Sequence, residues 1–320
     1  MTTVIVINGT TLMAFVSWYL TASQAFGIEQ FAAIYLFLTT IVGLFANGSI
    51  VLVTIRSRSL RAPCNILMAI QAVMDIVISF GHIVFFYFLY TETLIPYTKC
   101  YIYQFVPCSA MNITTALMLT IGLDRLLALN YKNWSKATPK LYLTVMMLGC
   151  VAYDALIKAI GYVTLTDELV ICLIADGYVG IGKDIWVFTQ VIINVFVVLV
   201  YKKIRNQMKY MKDSVKEAKK IMSSLYTIVV FYIFGWLMTM CLLGVLRVLT
   251  TESNLVVTCE LIAGIFANVN MVIPAFVYYF RSSIYNAAFK NLFGRKSRVG
   301  PELRLRLSQG NTGDSSFLRY

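Results

Sequence analysis

Charged residues are scarce in this chain, and their scarcity is the first constraint on its class. Of the 320 residues, 13% are charged and 59% are hydrophobic, and the mean hydropathy is +0.75. A soluble domain usually carries about 25% charged residues. Most of this chain therefore has little aqueous surface to cover, and the composition predicts a membrane protein.

Histidine and lysine are missing where several other classes of protein need them. The single histidine, His82, excludes a His-rich metal site, and no Ser/His/Asp catalytic set can be assembled, so we expect neither a metal centre nor an enzyme. The apolar stretch 255–280 contains no lysine that could form a Schiff base with retinal. The first 30 residues contain no Lys or Arg, so they lack the basic start of a signal peptide, and we expect an external segment there.

Long apolar runs are what the chain has in abundance. Crossing a bilayer as a helix takes about 20 mostly apolar residues. The stretches that meet this requirement are roughly 31–55, 64–90, 101–129, 141–165, 184–204, 221–249 and 255–280. Short polar turns separate them, so the sequence predicts an all-α bundle of seven transmembrane helices.

The basic residues predict how this bundle is oriented. Of the 27 lysines and arginines, 23 lie in segments on one side of the membrane, namely 56–63, 125–140, 201–220 and the chain from 281 onward. Positive charge stays on the cytoplasmic side. We therefore expect the N-terminus outside, the C-terminus inside and a multi-pass protein of the plasma membrane. The net charge of +12 is a topology signal, and it does not indicate nucleic-acid binding.

An Asp-Arg pair interrupts the third apolar run, in the segment "IGLDRLLAL". Cys100 precedes Asp124 by 24 residues, a helical distance of about 36 Å that exceeds the hydrocarbon thickness of about 30 Å. Cys100 is thus expected at the outer end of this helix, with Asp124 and Arg125 exposed to the cytosol. Cys172 lies in the next external segment, and disulfides persist on the oxidising side. We therefore predict a Cys100–Cys172 disulfide.

With these residues placed, the chain resembles the rhodopsin-like (class A) G-protein-coupled receptors over almost all of 31–293. The resemblance rests on the third-span cysteine before Asp-Arg and its partner in the second outer loop, and on the segments "FANGSIVLV", "LRAPCNILMAIQAVMDIV", "YIFGWLM" and "VIPAFVYYFRSSIYNAAF". The last segment, and the Leu126 that follows Asp-Arg, look most like nematode serpentine chemoreceptors of class SX. The resemblance implies an extracellular segment (1–30), a seven-helix bundle (31–281), an amphipathic eighth helix at the cytoplasmic face (282–293) and a cytoplasmic tail (294–320).

The resemblance also implies a function and a set of roles. The chain is expected to bind an extracellular ligand, either a chemosensory small molecule or a peptide, and to activate a heterotrimeric G protein. Asp124, Arg125, Tyr201 and Tyr278 are expected to form the coupling switch. Asp75, with Thr114 and Asn270 in support, would hold a sodium ion or a water network.

A further set of residues is expected near the ligand. Trp236 is expected to floor the ligand pocket, with Tyr103, Pro107, Asp154 and Lys158 nearby; Asp154 and Lys158 are one helical turn apart and could instead pair with each other. Pro107 stands where amine receptors place an aspartate, so an amine held by that salt bridge is not expected. Of the Asn-x-Ser/Thr sequons, only Asn8 suits a glycan.

Two prolines of the family pattern are absent, and one alternative function stays open. Ile193 and Met238 replace the prolines expected in the fifth and sixth spans, so any kink there needs another cause. The alternative is a multi-pass transporter or a ligand-gated channel without G-protein coupling. Against it, the intramembrane charges are few and form no pore-lining series.

Overall fold

A computed structural model describes residues 22–131, 139–210, 216–249 and 253–294. Within these ranges, seven helices are long and apolar enough to cross a membrane: Gln30–Arg56, Pro63–Tyr90, Phe105–Asn130, Lys140–Val163, Gly180–Lys209, Met222–Leu246 and Thr258–Arg281. The predicted seven-helix bundle is confirmed. Asn8 and the tail beyond 294 lie outside the described residues.

The helices and strands follow one another along the chain with short connections. The helices are α1 (Ala22–Arg56), α2 (Pro63–Tyr90), α3 (Tyr97–Tyr103), α4 (Phe105–Asn130), α5 (Pro139–Val163), α6 (Gly180–Lys209), α7 (Lys216–Tyr232), α8 (Met238–Leu249), α9 (Ser253–Arg281) and α10 (Ser283–Leu292). The two short strands are β1 (Ile95–Pro96) and β2 (Leu169–Val170). The third span is α4, and the short helix α3 precedes it at its outer end. α7 and α8 together form the sixth span.

Local sequence explains where several helices begin. Pro63 occupies the first turn of α2, where its missing N–H costs nothing, and the preceding Ala62 is extended. The hydroxyl of Ser282 accepts the backbone N–H of Tyr285 and so caps α10. A single residue, Ser282, therefore separates α10 from α9.

α4 is the central helix and α5 a peripheral one. In the most apolar part of α4, 67% of the residues are buried inside the protein, against 17% in α5. Close packing on α4 requires a glycine: a Cβ added to Gly122 would lie 2.7 Å from Cε2 of Tyr201 on α6. Outward-facing positions instead carry large apolar side chains such as Phe45, Phe188 and Phe234, as expected for a surface in contact with lipid.

The sixth span contains a π-helical turn and no proline. Between α7 and α8 the chain makes a π-helical turn at Ile233–Leu237, immediately before Met238. A π-helical turn is a known cause of helix kinks. A kink in the sixth span would therefore have this turn as its cause, in place of the absent proline. The fifth span, α6, is continuous over its whole length, whereas α9 contains Pro274.

The second outer loop is tied down over the outer end of the bundle. The predicted disulfide joins Cys100 of α3 to Cys172, with the two Cα atoms 5.4 Å apart. β1 pairs with β2 antiparallel beside it. Gln104 Nε2 donates to the carbonyl oxygens of Gly81 (3.1 Å) and Cys172 (3.2 Å), so the loop is fixed to both α2 and α4.

Removing the disulfide tests this arrangement. Cys100→Ser and Cys172→Ser should lower surface expression equally, and the double variant should lose little more, because each single change removes the same bond. Surface labelling of intact cells measures the loss. Cys241→Ser, at a free and exposed cysteine, is the matched control and should be neutral. Additive losses would contradict a shared bridge.

Candidate functional site

A cavity lies beneath the second outer loop, in the outer half of the bundle. The volume open to the centres of water molecules is about 130 Å³. Leu173, Ile174 and Ala175 of the loop form its outer wall, while Trp236 and Asp75 lie at its deeper end. The cavity is enclosed by side chains from α1, α2, α4, α6, α8 and α9 as well, so a ligand here would contact most of the bundle.

Three buried ionisable side chains link the loop to two helices at the outer end of this cavity. Lys183 Nζ on α6 lies 2.8 Å from Glu260 Oε1 on α9 and 3.4 Å from Asp176 Oδ1 in the loop. Asp176 Oδ2 also accepts the backbone N–H of Leu173 at 3.0 Å. Burial raises the pKa of Asp176, and Lys183 opposes that rise. We call Asp176, Lys183 and Glu260 the outer triad.

Tyr97, at the start of α3, lies near the outer triad. Its pKa is raised to about 12, mainly by burial and next by the charge of Asp176. The phenol is therefore neutral at physiological pH. Tyr97 therefore adds no further negative charge to the two carboxylates of the triad.

A hydrogen-bond network centred on Asn112 runs along one side of the cavity. Asn112 Nδ2 donates to Asp154 Oδ1 and to the hydroxyl of Tyr178, both at 2.8 Å. Trp186 Nε1 donates to Asn112 Oδ1 at 3.0 Å, and its ring stacks on Tyr178 with centroids 5.3 Å apart. The sequon at Asn112 is thus a buried structural amide that joins α4, α5, α6 and the outer loop.

The same network reaches the residue expected at the pocket floor. Gln190 Nε2 donates to Asn112 Oδ1 at 3.5 Å, and Trp236 Nε1 donates to Gln190 Oε1 at 3.4 Å. Trp236 also lines the cavity. A displacement of its ring would therefore disturb the contacts that hold the outer loop against α4 and α6.

Asn270 stabilises the π-helical turn that carries Trp236. With its amide oriented to suit its neighbours, Asn270 donates to the carbonyl of Phe231 at 2.9 Å and accepts the backbone N–H of Trp236 at 3.2 Å. A π-helical turn disturbs the regular backbone hydrogen bonds, and a buried backbone group without a partner is costly. Gly235 leaves space for this amide, since an added Cβ would collide with Asn270. Asn270 thus serves the turn as well as lining the cavity beside Asp75.

Asp75 lies where the resemblance predicted an ion or water network. Its side chain is buried and lines the cavity, and no described residue forms a hydrogen bond or ion pair with its carboxylate. The hydroxyl of Thr114 lines the same cavity and is buried without a partner in the described residues. A carboxylate and a free hydroxyl are oxygen donors of the kind that Na⁺ binds, so the residues present fit such an ion.

The Asp-Arg pair lies at the inner end of α4 but is not exposed to the cytosol. Asp124 and Arg125 are only 2% and 4% exposed. Arg125 Nε donates to Asp124 Oδ2 at 2.8 Å, and the hydroxyl of Tyr142 on α5 donates to Asp124 Oδ1 at 2.8 Å. The expectation of a cytosol-exposed pair is wrong; burial is tolerated because each charge has its partner.

Two buried tyrosines lie between Asp75 and the Asp-Arg pair. Asp75 and Gln71 line the large cavity and also a second, water-sized cavity of about 10 Å³. Tyr201 and Tyr278 line this inner cavity. Tyr278 donates its hydroxyl to Met68 Sδ at 2.8 Å, whereas the hydroxyl of Tyr201 has no partner in the described part of the chain.

Four residues expected near the ligand do not line the cavity. Tyr103 is 54% exposed on the outside, and Pro107 is buried in the first turns of α4. Asp154 belongs to the Asn112 network, and it does not pair with Lys158. Lys158 Nζ instead lies among three rings, 4.5 Å from the centroid of Phe105 and 5.1 and 5.4 Å from those of Tyr101 and Tyr178.

The outer triad was missed by the sequence reasoning. Lys183 belongs to the segment "GYVGIGKD", which fits no nucleotide-binding loop because Asp184 follows where Ser or Thr is needed. Glu260 could have pointed to the triad, because it is an acidic residue inside a predicted membrane span and such residues are functional candidates.

The structure thus has an outer cavity below a disulfide-tied loop, buried polar groups beneath that cavity and an Asp-Arg pair at the cytoplasmic end, which is the arrangement expected of a seven-helix membrane receptor. The sequence profile described as "Serpentine type 7TM GPCR chemoreceptor Srsx" matches residues 40–293. The chain therefore belongs to the Srsx family of serpentine chemoreceptors, a family of receptors rather than enzymes, and is a multi-pass protein of the plasma membrane. None of the curated proteins compared with it matches.

The role of Asn270 can be tested by truncation. Asn270→Ala leaves the carbonyl of Phe231 and the N–H of Trp236 without these partners inside a membrane span, so we expect it to lower the free energy of unfolding by about 1–3 kcal/mol. Thermal unfolding of the purified protein in lipid nanodiscs measures this loss. Asn291→Ala, at an exposed position of α10, is the control. Gly235→Ala should mimic Asn270→Ala, and combining the two should add little; independent, additive losses would contradict the proposed contact.

Proposed function

We propose that this receptor binds an extracellular ligand in the cavity beneath the second outer loop and activates an intracellular heterotrimeric G protein. The observation that carries the proposal is that Gln71 and Asp75 line both the outer cavity and the inner one. The inner cavity in turn reaches Tyr201 and Tyr278. A ligand in the outer cavity therefore acts on the same polar side chains that face the cytoplasmic tyrosines.

Arg125 is the residue proposed to meet the G protein. It is always charged and carries a rigid fork of donors, which suits contacts with backbone carbonyls and carboxylates of a partner helix. In this structure Asp124 occupies that fork, and Tyr142 fixes Asp124 in turn. The proposal takes this arrangement as the closed form, and activation would then separate Arg125 from Asp124.

A second contact holds the cytoplasmic end closed. Arg281, the last residue of α9, donates to Thr227 Oγ1 at 2.9 Å and to Ser223 Oγ at 3.3 Å, both on α7. An outward movement of α7 would break these exposed hydrogen bonds. The π-helical turn between α7 and α8 lies above them, so it is the proposed hinge for that movement.

Ligand binding shifts this equilibrium only through contacts that differ between the closed and open forms. Trp236 provides such a contact, because its indole lines the cavity while its backbone belongs to the π-helical turn that Asn270 holds. A ligand that displaces Trp236 would alter the turn itself. Tyr201 and Tyr278 would then stabilise the open form through hydroxyls that face the inner cavity.

Asp124→Asn should raise ligand-free G-protein activation by about 5-fold or more, because it removes the charge that restrains Arg125 and coupling energies of this kind are about 1–3 kcal/mol. Arg125→Gln should reduce activation to background while the protein still reaches the cell surface. Nucleotide exchange by a promiscuous G protein, normalised to surface expression, measures both effects.

The exposed arginine at 58, on the same cytoplasmic face, provides the matched control: Arg58→Gln should signal as the wild type does. Normal signalling by Arg125→Gln would overturn the proposed role of Arg125. Membrane current without nucleotide exchange would instead support the channel or transporter alternative.

We further propose that Asp75 and Thr114 hold a sodium ion that favours the closed form. Replacing K⁺ by Na⁺ at constant ionic strength should raise the unfolding temperature of the wild type, and Asp75→Asn should abolish the difference because it removes the charged ligand. Asp167→Asn, at an exposed loop carboxylate, should retain it. Equal Na⁺ and K⁺ curves for the wild type would contradict a sodium site.

A further inference from the structure

The outer triad carries more negative than positive charge. Asp176, Lys183 and Glu260 are 7%, 7% and 8% exposed, so all three are removed from water. Two carboxylates share one ammonium group, and no other described lysine or arginine side chain forms an ion pair with either carboxylate. If both acids are ionised, one negative charge is left without a balancing cation, and burying such a charge is costly.

The two carboxylates of the triad are not equivalent. Asp176 is held by Lys183 on one oxygen and by the backbone N–H of Leu173 on the other. Glu260 contacts Lys183 and lines the cavity. Lys183 can therefore remain paired with Asp176 while Glu260 turns to a ligand. Binding of a cation to Glu260 would give two neutral pairs, Asp176 with Lys183 and Glu260 with the cation, in place of three groups that carry one excess negative charge.

The other side chains that line the cavity indicate what the uncharged part of such a cationic ligand would be. The wall of the cavity includes Leu36 of α1, Ile78 of α2 and Leu261, which follows Glu260 on α9. Trp236 lies at the deeper end. His82 also lines the cavity, and its Nε2 is buried without a partner among the described residues. The outer end of the cavity thus offers one carboxylate, that of Glu260, beside apolar side chains and an imidazole nitrogen that can form a further hydrogen bond, whereas the second carboxylate, that of Asp75, lies at the deeper end.

We propose that the ligand of this receptor is a small, mainly apolar molecule with one positive charge, an amine or a guanidine, which Glu260 binds. The proposal rests on the proposed function only in taking this cavity as the ligand site. It does not use the third-span position occupied by Pro107, where the sequence offers no carboxylate. Here the carboxylate comes from α9, and the outer loop stays closed over the ligand through the Asp176–Lys183 pair.

The test compares probes that differ only in charge on a common skeleton. The purified full chain in lipid nanodiscs is titrated with 2-phenylethylamine, 2-phenylethanol and 3-phenylpropanoate, and with hexylamine, 1-hexanol and heptanoate. Thermal unfolding reports binding, because a ligand that binds only the folded protein raises the unfolding temperature with its concentration. At least one amine should stabilise the wild type more than its alcohol does, and the carboxylates should not stabilise it.

Glu260→Gln should weaken the apparent affinity for that amine by about 30-fold or more, as expected for removing one partner of a buried charge pair, and leave the alcohol unchanged. Without ligand this variant should be no less stable than the wild type, because Lys183 and Asp176 remain a neutral pair. Glu168→Gln removes the same charge from an exposed position of the same loop and should keep full amine binding.

A second variant keeps the test decisive if Glu260→Gln does not fold. In Asp176→Asn, Lys183 has only Glu260 as a partner, so amine binding should weaken there too. The proposal is overturned if neither amine stabilises the wild type beyond its alcohol, or if Glu260→Gln or Asp176→Asn binds the amine as the wild type does. The binding test contains no G protein, so its result is independent of the nucleotide-exchange assay; failure of that assay would reject the proposed function and leave this inference standing.

Discussion

Every polar group buried in this bundle needs a partner inside the protein, because the surrounding lipid offers none. The described structure satisfies that requirement with short chains of contacts rather than isolated pairs. Asp124 is bound by Arg125 and Tyr142, the amide of Asn112 connects four elements, and the amide of Asn270 closes the backbone of the π-helical turn. The packing of the helices and the second outer loop depends on these contacts as much as on apolar side chains.

Several exceptions to that requirement lie along the large cavity. The carboxylate of Asp75, the hydroxyl of Thr114 and His82 Nε2 have no partner among the described residues, and Glu260 shares its only cation. All of these groups line the large cavity. A site that binds a ligand or an ion must leave some polar groups unsatisfied until the ligand arrives. The unsatisfied groups that line the cavity are therefore able to contribute binding free energy to a ligand or an ion.

The sequence predicted those features that the bilayer itself dictates. Helix number and position follow from apolar length, and the separation of Cys100 from Asp124 follows from membrane thickness, so the disulfide and the location of the Asp-Arg pair could be foreseen. Features that depend on helix rotation could not. The sequence does not show that Tyr142 covers Asp124, that Lys158 turns to aromatic rings instead of Asp154, or that Lys183 reaches Glu260 from a different helix.

The π-helical turn also sets which face of α8 looks into the bundle. Such a turn holds one more residue than a regular turn, and each residue of an α-helix advances by about 100°. Everything on the outer side of Ile233–Leu237 is consequently rotated by roughly that angle relative to an unbroken helix. Thr239, Met240 and Leu243 line the cavity in this rotated register. A single inserted residue in the middle of the membrane thereby determines the chemical character of a binding surface one to two turns away.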